Sequence, residues 1–375
     1  MKKRRALILS LLALFLVVGI VLGEYHHIQV NGTLIAAVKA DDTKTVLTTL
    51  NAGAEADYPQ NENASRPLWI QWLYRISGLK APAKELGPSL LAQAVQHNNT
   101  VLVKALLGKG ATDVQGLIVS HQYRDSPDKP IPLLAAAAEA GNLAICQALV
   151  EHGADVNCGR DKFALTMAAE HGRSAVILFL FQHGAALDTP SDLSIYSLRE
   201  AVQSGDLESV RLLLAHGADA TYEGRWGSVL GDAVYGGKLA IVKLVVEAGA
   251  NVNGGFGFTN VLQCAAEAGN VEIVRYFLKK GTKVNAECGW NRTPLMEAVL
   301  GNHTAVVRLL LEHGADWRPK EEATGDDLQE HSADWRPNDE PGGMGFTKGD
   351  TALHLAQRKG NKEIIQMLKN AGAKE

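Results

Sequence analysis

"NRTPLMEAVLGNHTAVVRLLLEHGAD" runs from Asn291 to Asp316. Its second half carries Val306, Val307, Leu310 and Leu311, a spacing of i, i+1, i+4, i+5 that collects all four on one face of a helix. Gly314 follows three residues later and supplies the left-handed residue on which a helix ends without a Cβ clash. Upstream, Leu295, Ala298 and Val299 form a shorter apolar pattern whose small alanine lets one helix lie close against the next. The stretch predicts two helices and a stop.

Working outward, the same design returns along the chain. A glycine preceded by a leucine-rich helix pattern recurs at 53, 110, 153, 184, 217, 249, 281, 314 and 372. From 153 to 314 the intervals are 31, 33, 32, 32 and 33 residues, a period that marks a repeat architecture. Ile241, Val242, Val245 and Val246 repeat the apolar face, and so do Ile273, Val274, Phe277 and Leu278. The shorter pattern starts at Leu34, Leu91, Leu134, Leu165, Leu198, Leu230, Leu262 and Leu295, with a variant at Leu353. Each repeat is therefore a helix pair followed by a polar turn, and none buries its apolar face alone.

The stretch strongly resembles an ankyrin repeat, as does "GDTALHLAQRKGNKEIIQMLKNAGA" from Gly349 to Ala373. Thr293-Pro294-Leu295 and Thr351-Ala352-Leu353-His354 match the family's helix-opening motif, in which Thr caps the first helix. Elsewhere the motif is reduced to Ser228-Val229-Leu230 or Asn260-Val261-Leu262, where Ser and Asn remain competent caps. The resemblance covers 33–375 and implies an all-α ankyrin-repeat solenoid of about nine helix pairs. Terminal repeats need polar outer faces, and Thr45, Thr49 and Lys369 supply them where interior repeats have only Ser209.

Three insertions interrupt the series, at 58–86, 116–130 and 317–350. The first contains Trp69, Trp72, Leu73 and Ile76 at helical spacing. They read either as an extra helix packed on the first repeats or as an interfacial helix, since Trp and Tyr favour the bilayer boundary. The second reads as a loop. In the third, "EHSADWRP" (Glu330 to Pro337) copies "EHGADWRP" (Glu312 to Pro319) with Ser332 in place of Gly314. No apolar helix face precedes the copy, so it is a short duplication within an exposed excursion rather than a further repeat.

The N-terminus has its own signal. Residues 1–5 are basic, and Ala6 to Gly23 are eighteen residues without a charge. That length favours a spanning anchor over a removable export signal, and both readings keep the N-terminus in the cytoplasm and 24–375 outside it. Residues 24–32 then read as a linker. A bacterial-looking anchor makes that outer space the periplasm, with a cleaved, periplasmic or secreted form as the alternative.

Net charge is −4, and removing Lys2, Lys3, Arg4 and Arg5 leaves −8 for the rest, which argues against a nucleic-acid footprint. Four scattered cysteines make no disulfide framework. His152, His183, His216 and His313 each precede a repeat glycine. Equivalent positions in neighbouring repeats stand ~8–10 Å apart, too far to share a zinc ion with ligands at ~2.0–2.1 Å, so each His is better read as meeting the dipole at its helix C-terminus. "GGFGF" (Gly254 to Phe258) lies in a turn and opens no dinucleotide-binding unit. No catalytic constellation, cofactor motif, metal site or small-molecule substrate site is evident, and the expectation is a non-enzyme.

In ankyrin-like stacks the turn tips and first helices line a concave groove where protein partners bind. Mapping that pattern here puts Tyr222, Arg225 and Trp226 on one tip, Phe256 and Phe258 on the next, Trp290 and Arg292 on the third, and Trp317 on the fourth. Aromatics and Arg dominate interface hot spots. The expected function is recognition of an unidentified protein by a membrane-tethered stack. An immunity-type inhibitor of a toxin and an accessory factor for an envelope enzyme are alternatives.

Overall fold

A computed structural model of the protein describes residues 29–57, 88–119, 130–158, 163–187, 196–224, 227–256, 259–286, 292–318 and 351–373, with Gly19, Gly23, His26 and His27 before them. Among these residues the chain forms nine helix pairs. They are α1 (29–39) with α2 (Thr43–Asn51), α3 (Leu90–Gln96) with α4 (Thr100–Gly108), and α5 (Leu133–Ala140) with α6 (Leu143–Glu151). Next come α7 (Phe163–Glu170) with α8 (Ser174–Gln182), α9 (Tyr196–Ser204) with α10 (Leu207–Ala215), and α11 (Val229–Tyr235) with α12 (Leu239–Glu247). The last three are α13 (Val261–Glu267) with α14 (Val271–Lys279), α15 (Pro294–Leu300) with α16 (Thr304–Glu312), and α17 (Ala352–Lys359) with α18 (Lys362–Asn370).

The helices start and stop where side-chain chemistry tells them to. Thr293 Oγ1 accepts from the Met296 N–H at 3.3 Å, Ser228 Oγ from Gly231 at 3.0 Å, Asn260 Oδ1 from Gln263 at 2.8 Å and Thr351 Oγ1 from His354 at 3.1 Å. The eroded motifs therefore cap as well as the full ones. All nine repeat glycines adopt left-handed backbone, with φ from 80° at Gly281 and Gly314 to 104° at Gly249. A Cβ at Gly281 or Gly314 would meet nothing within 4 Å, so the glycine is there for its torsion angle and not for space.

Burial narrows the predicted apolar face. Ile241, Val242 and Val245 are buried while Val246 is half-buried; Ile273, Val274 and Phe277 are buried while Leu278 is half-buried. At about 100° per residue the fourth member lies some 40° outside the arc spanned by the first three, which puts it at the edge of the seam.

The chain divides into two compact units, Met1–Ser197 and Leu198–Glu375, with the division inside α9. In the first, α2 packs on α4, α4 on α6 and α6 on α8, and the core is built from Leu, Ile, Val and Ala such as Leu102, Leu106, Ile145 and Ile177. The flanks of the second insertion pair as an antiparallel ladder, β1 (Leu117–Val119) with β2 (Pro130–Pro132), in place of the loop expected there. Ile118 and Ile131 point inward, buried at 6% and 0% exposure, which is what anchors an otherwise marginal two-stranded ribbon. Residues 29–32, assigned to a linker from sequence, belong to the first helix. Asn31 is fully buried, and its amide donates to His27 Nδ1 at 3.1 Å while its Oδ1 accepts the Glu55 N–H at 2.9 Å.

In the second unit the helix pairs again stack in order, and two short ladders replace plain turns: β3 (Glu223–Gly224) with β4 (Gly227–Ser228), and β5 (Gly255–Phe256) with β6 (Thr259–Asn260). The capping residues just before second helices tie neighbouring pairs together. Asn99 Nδ2 donates to Asp41 Oδ1 at 2.8 Å and Asn142 Nδ2 to Asn98 Oδ1 at 2.9 Å in the first unit. Lys238 Nζ donates to the Gly205 carbonyl at 2.7 Å, Asn270 Nδ2 to Gly237 at 3.1 Å and His303 Nε2–H to Glu267 at 2.8 Å in the second. One position therefore both starts a helix and pins it to the pair before.

No helix among the described residues is long and apolar enough to cross a membrane. The apolar run at 6–23 lies outside them apart from Gly19 and Gly23, as do insertion 58–86, with Trp69, Trp72, Leu73 and Ile76, and insertion 317–350 beyond Arg318.

Candidate protein-binding surface

The tips of the second unit are built by the two ladders. Glu223 pairs with Ser228 and Gly224 with Gly227, so the connection is two residues long, Arg225 and Trp226 by sequence. Gly255 pairs with Asn260 and Phe256 with Thr259, which leaves Gly257 and Phe258 as the second connection. Two-residue connections are the tightest hairpins and hold their ends in fixed register. β5 lies against both β3 and β4, so these tips are neighbours. A Cβ at Gly254 would overlap the Glu223 carboxylate, so the glycine permits that close approach.

Of the residues proposed for binding, Tyr222, Arg292 and Trp317 are described with their side chains, and Phe256 by its backbone. Arg225, Trp226, Phe258 and Trp290 lie outside the described residues. Tyr222 is half-buried and within electrostatic reach of Arg199. Arg292 opens the eighth repeat and forms an ion pair with Glu297, Nε to Oε1 at 2.9 Å, with Glu297 nearly sealed from solvent. Its backbone carbonyl also accepts from the Gln263 amide. Trp317 donates its indole N–H to the Ala371 carbonyl at 3.1 Å, and the Arg318 guanidinium stands 5.9 Å from its ring. Arg292 and Trp317 thus have work inside the fold: one braces an inner helix, the other brackets the end of α18.

Behind the tips, the inner helices α9, α11, α13 and α15 carry a polar row absent from the sequence reading. Arg199 grips Asp232 with two hydrogen bonds, Nε to Oδ2 at 2.5 Å and Nη2 to Oδ1 at 3.3 Å, and both side chains are largely buried. The Asp232 hydrogen bond, opposed by burial, holds the Arg199 guanidinium above its ordinary pKa. Gln263 closes a capping box with Asn260. Tyr235, at the end of α11, leaves 51% of its surface exposed, yet burial of its hydroxyl, with Cys264, Glu267 and Glu297 adding, raises its pKa. Tyr235 was legible as an aromatic. Its position, at the end of an inner helix and off the turn tips, is set by the stacking of the pairs.

The histidines settle into local roles. His152, His183, His216 and His313 each donate Nδ1–H to the carbonyl four residues back, at 2.8, 2.9, 2.8 and 2.8 Å. The expected helix-terminal interaction is thus a direct hydrogen bond to a carbonyl of the last turn, which at Ala148, Phe179 and Leu212 also accepts the same histidine's backbone N–H. Cys146 and Cys264 are fully buried, and burial pushes the Cys146 thiol up to about 12. Among the described residues no group of His, Cys, Asp and Glu is placed to hold a metal ion.

Comparisons with known proteins place this architecture. A family model described as "Ankyrin repeats (3 copies)" matches residues 91–191, 134–224 and 230–321, and one described as "Ankyrin repeat" matches 348–374. A search of curated proteins found no match. Among solved structures, the crystal structure of the human ASB11 ankyrin repeat domain is similar with a TM-score of 0.52 and 24% identity, over 64% of this chain and 98% of that one. That likeness is one of fold alone. With the family model matched over more than half of its length, the chain belongs to the ankyrin-repeat family.

Proposed function

We propose that the chain is a membrane-tethered recognition module that faces the periplasm and grips another protein through the inner helices and tips of repeats five to eight. Ankyrin repeats are protein-interaction modules, and that part rests on family membership. The observation that carries the choice of surface is the pair of adjacent two-residue hairpins whose connecting residues are Arg225-Trp226 and Gly257-Phe258. The ladders fix the backbone at both ends of each connection, which lowers the ordering entropy lost on binding. The tether and the outward orientation are supported by the basic start and the uncharged run at 6–23.

The test uses the full chain in its own membrane. Crosslinking identifies the partner, and affinity is then measured for the parent and for Trp226→Ala combined with Trp290→Ala. Loss of two anchors at ≥2 kcal/mol each, taken as additive, predicts a drop of at least about 700-fold. Unchanged affinity in a folded double variant removes the assignment. Reporter fusions at the C-terminus check orientation, with a reporter active only outside the cytoplasm expected to score.

A further inference from the structure

The outer faces of the two units differ in kind. Each second helix has nine residues, and its second and fifth positions, three apart, share the face turned away from the core. In the second unit those positions hold Glu208 and Arg211, Ala240 and Lys243, Glu272 and Arg275, and Ala305 and Arg308. In the first unit they hold Lys44 and Leu47, Val101 and Lys104, Ala144 and Gln147, and Ala175 and Leu178. Over their full lengths α10, α12, α14 and α16 carry nine charged residues, whereas α2, α4, α6 and α8 carry three: Lys44, Lys104 and Glu151. Glu208 pairs with Arg211 at 3.4 Å and Arg308 with Glu363 at 2.9 Å, as befits a water-facing surface.

Apolar exposure follows the same division. Leu47, Val101, Leu117 and Leu178 are four of the five large hydrophobics that stand exposed among the described residues, and all four belong to the first unit. Three of them, Leu47 at 39%, Val101 at 53% and Leu178 at 41%, lie on the outer face of second helices. A lone exposed leucine needs no explanation. A row whose only charges are two lysines and which carries three exposed apolar side chains does.

We infer that the outer second-helix face of the first unit rests on the lipid bilayer surface, with Leu47, Val101 and Leu178 at the headgroup–acyl boundary and Lys44 and Lys104 reaching anionic headgroups. The inference rests on the tethered reading above, in which the uncharged run at 6–23 shortly precedes the first helix pair of this unit and keeps it beside the membrane. The chemistry is that of an interfacial surface: apolar side chains enter the boundary, lysine stems lie along it, and each lysine near anionic lipid contributes ~1 kcal/mol. Positions 2 and 5 of these helices carry no carboxylate to repel that lipid.

The experiment places an environment-sensitive thiol label at Val101→Cys, Leu178→Cys or Arg275→Cys, each in a Cys158→Ser/Cys288→Ser background, since Cys146 and Cys264 are buried. The full chain is reconstituted into phosphatidylethanolamine–phosphatidylglycerol vesicles containing nitroxide-labelled acyl chains and washed at alkaline pH. Retention through the wash with quenching at 101 and 178 at least twofold that at 275 is expected. Equal quenching at the three positions with the protein retained overturns the bilayer contact and leaves the tether standing. Release by the wash overturns the tether and this inference together. Labels at 101 and 178 that escape lipid quenching yet are shielded by added envelope protein assign the face to a protein instead.

Discussion

Gly314 and Ser332 hold the same place in a duplicated octapeptide, and the first of them lies among the described residues. Gly314 sits at φ 80° with open space where a Cβ would go. An L-residue there meets no neighbour, only its own carbonyl, at a cost of ~1–2 kcal/mol. Gly314→Ala should therefore lower stability by about that amount, read as a shift in urea midpoint at constant slope. A change below about 0.3 kcal/mol would show that the turn relaxes out of the left-handed region.

Between elements, caps and ion pairs decide more than apolar pattern does. Asp42 caps α2 by accepting the Thr45 hydroxyl at 2.6 Å and the Thr45 N–H at 3.1 Å, and these bonds, the hydroxyl first, hold its carboxyl below the ordinary 3.8. A depressed carboxylate contributes stability that is complete above the unfolded pKa and fades as pH falls through the folded one. Protection of the α2 amides, taken relative to their intrinsic exchange rate, should accordingly fall on acidification below pH ~4, and Asp42→Asn should flatten that dependence. The Arg199–Asp232 pair joins α9 to α11 out of reach of most water. Arg199→Met leaves a buried carboxylate alone and should destabilise by about 3 kcal/mol, whereas adding Asp232→Leu should recover most of the loss. Thermal melts of the single and double variants check this. Equal destabilisation by both would mean that packing, not charge, dominates there.

At the scale of the molecule the insertions interrupt the sequence period without interrupting the pairs. The last repeat is placed by its own bonds, Trp317 to the Ala371 carbonyl at 3.1 Å and Arg308 to Glu363 at 2.9 Å, whatever chain intervenes. Cutting 319–350 to about ten residues should change stability by no more than about 1 kcal/mol, since closure entropy varies only logarithmically with length. A melt in which the C-terminal pair unfolds early would show that the excursion does more than connect.

The repeat, its nine pairs, the caps and the left-handed glycines were all legible in the amino-acid order. Each is a local matter: a hydroxyl three residues from an N–H, a missing Cβ, an apolar period of one helix turn. The start of the first helix at 29, the β1–β2 ribbon, the Arg199–Asp232 and Trp317–Ala371 contacts and the uneven outer faces were not legible. They join residues 15, 33 and 54 apart or compare helices across repeats. Such contacts exist only after stacking brings distant turns together, and nothing in the spacing of one repeat announces which side chain of the next will meet it.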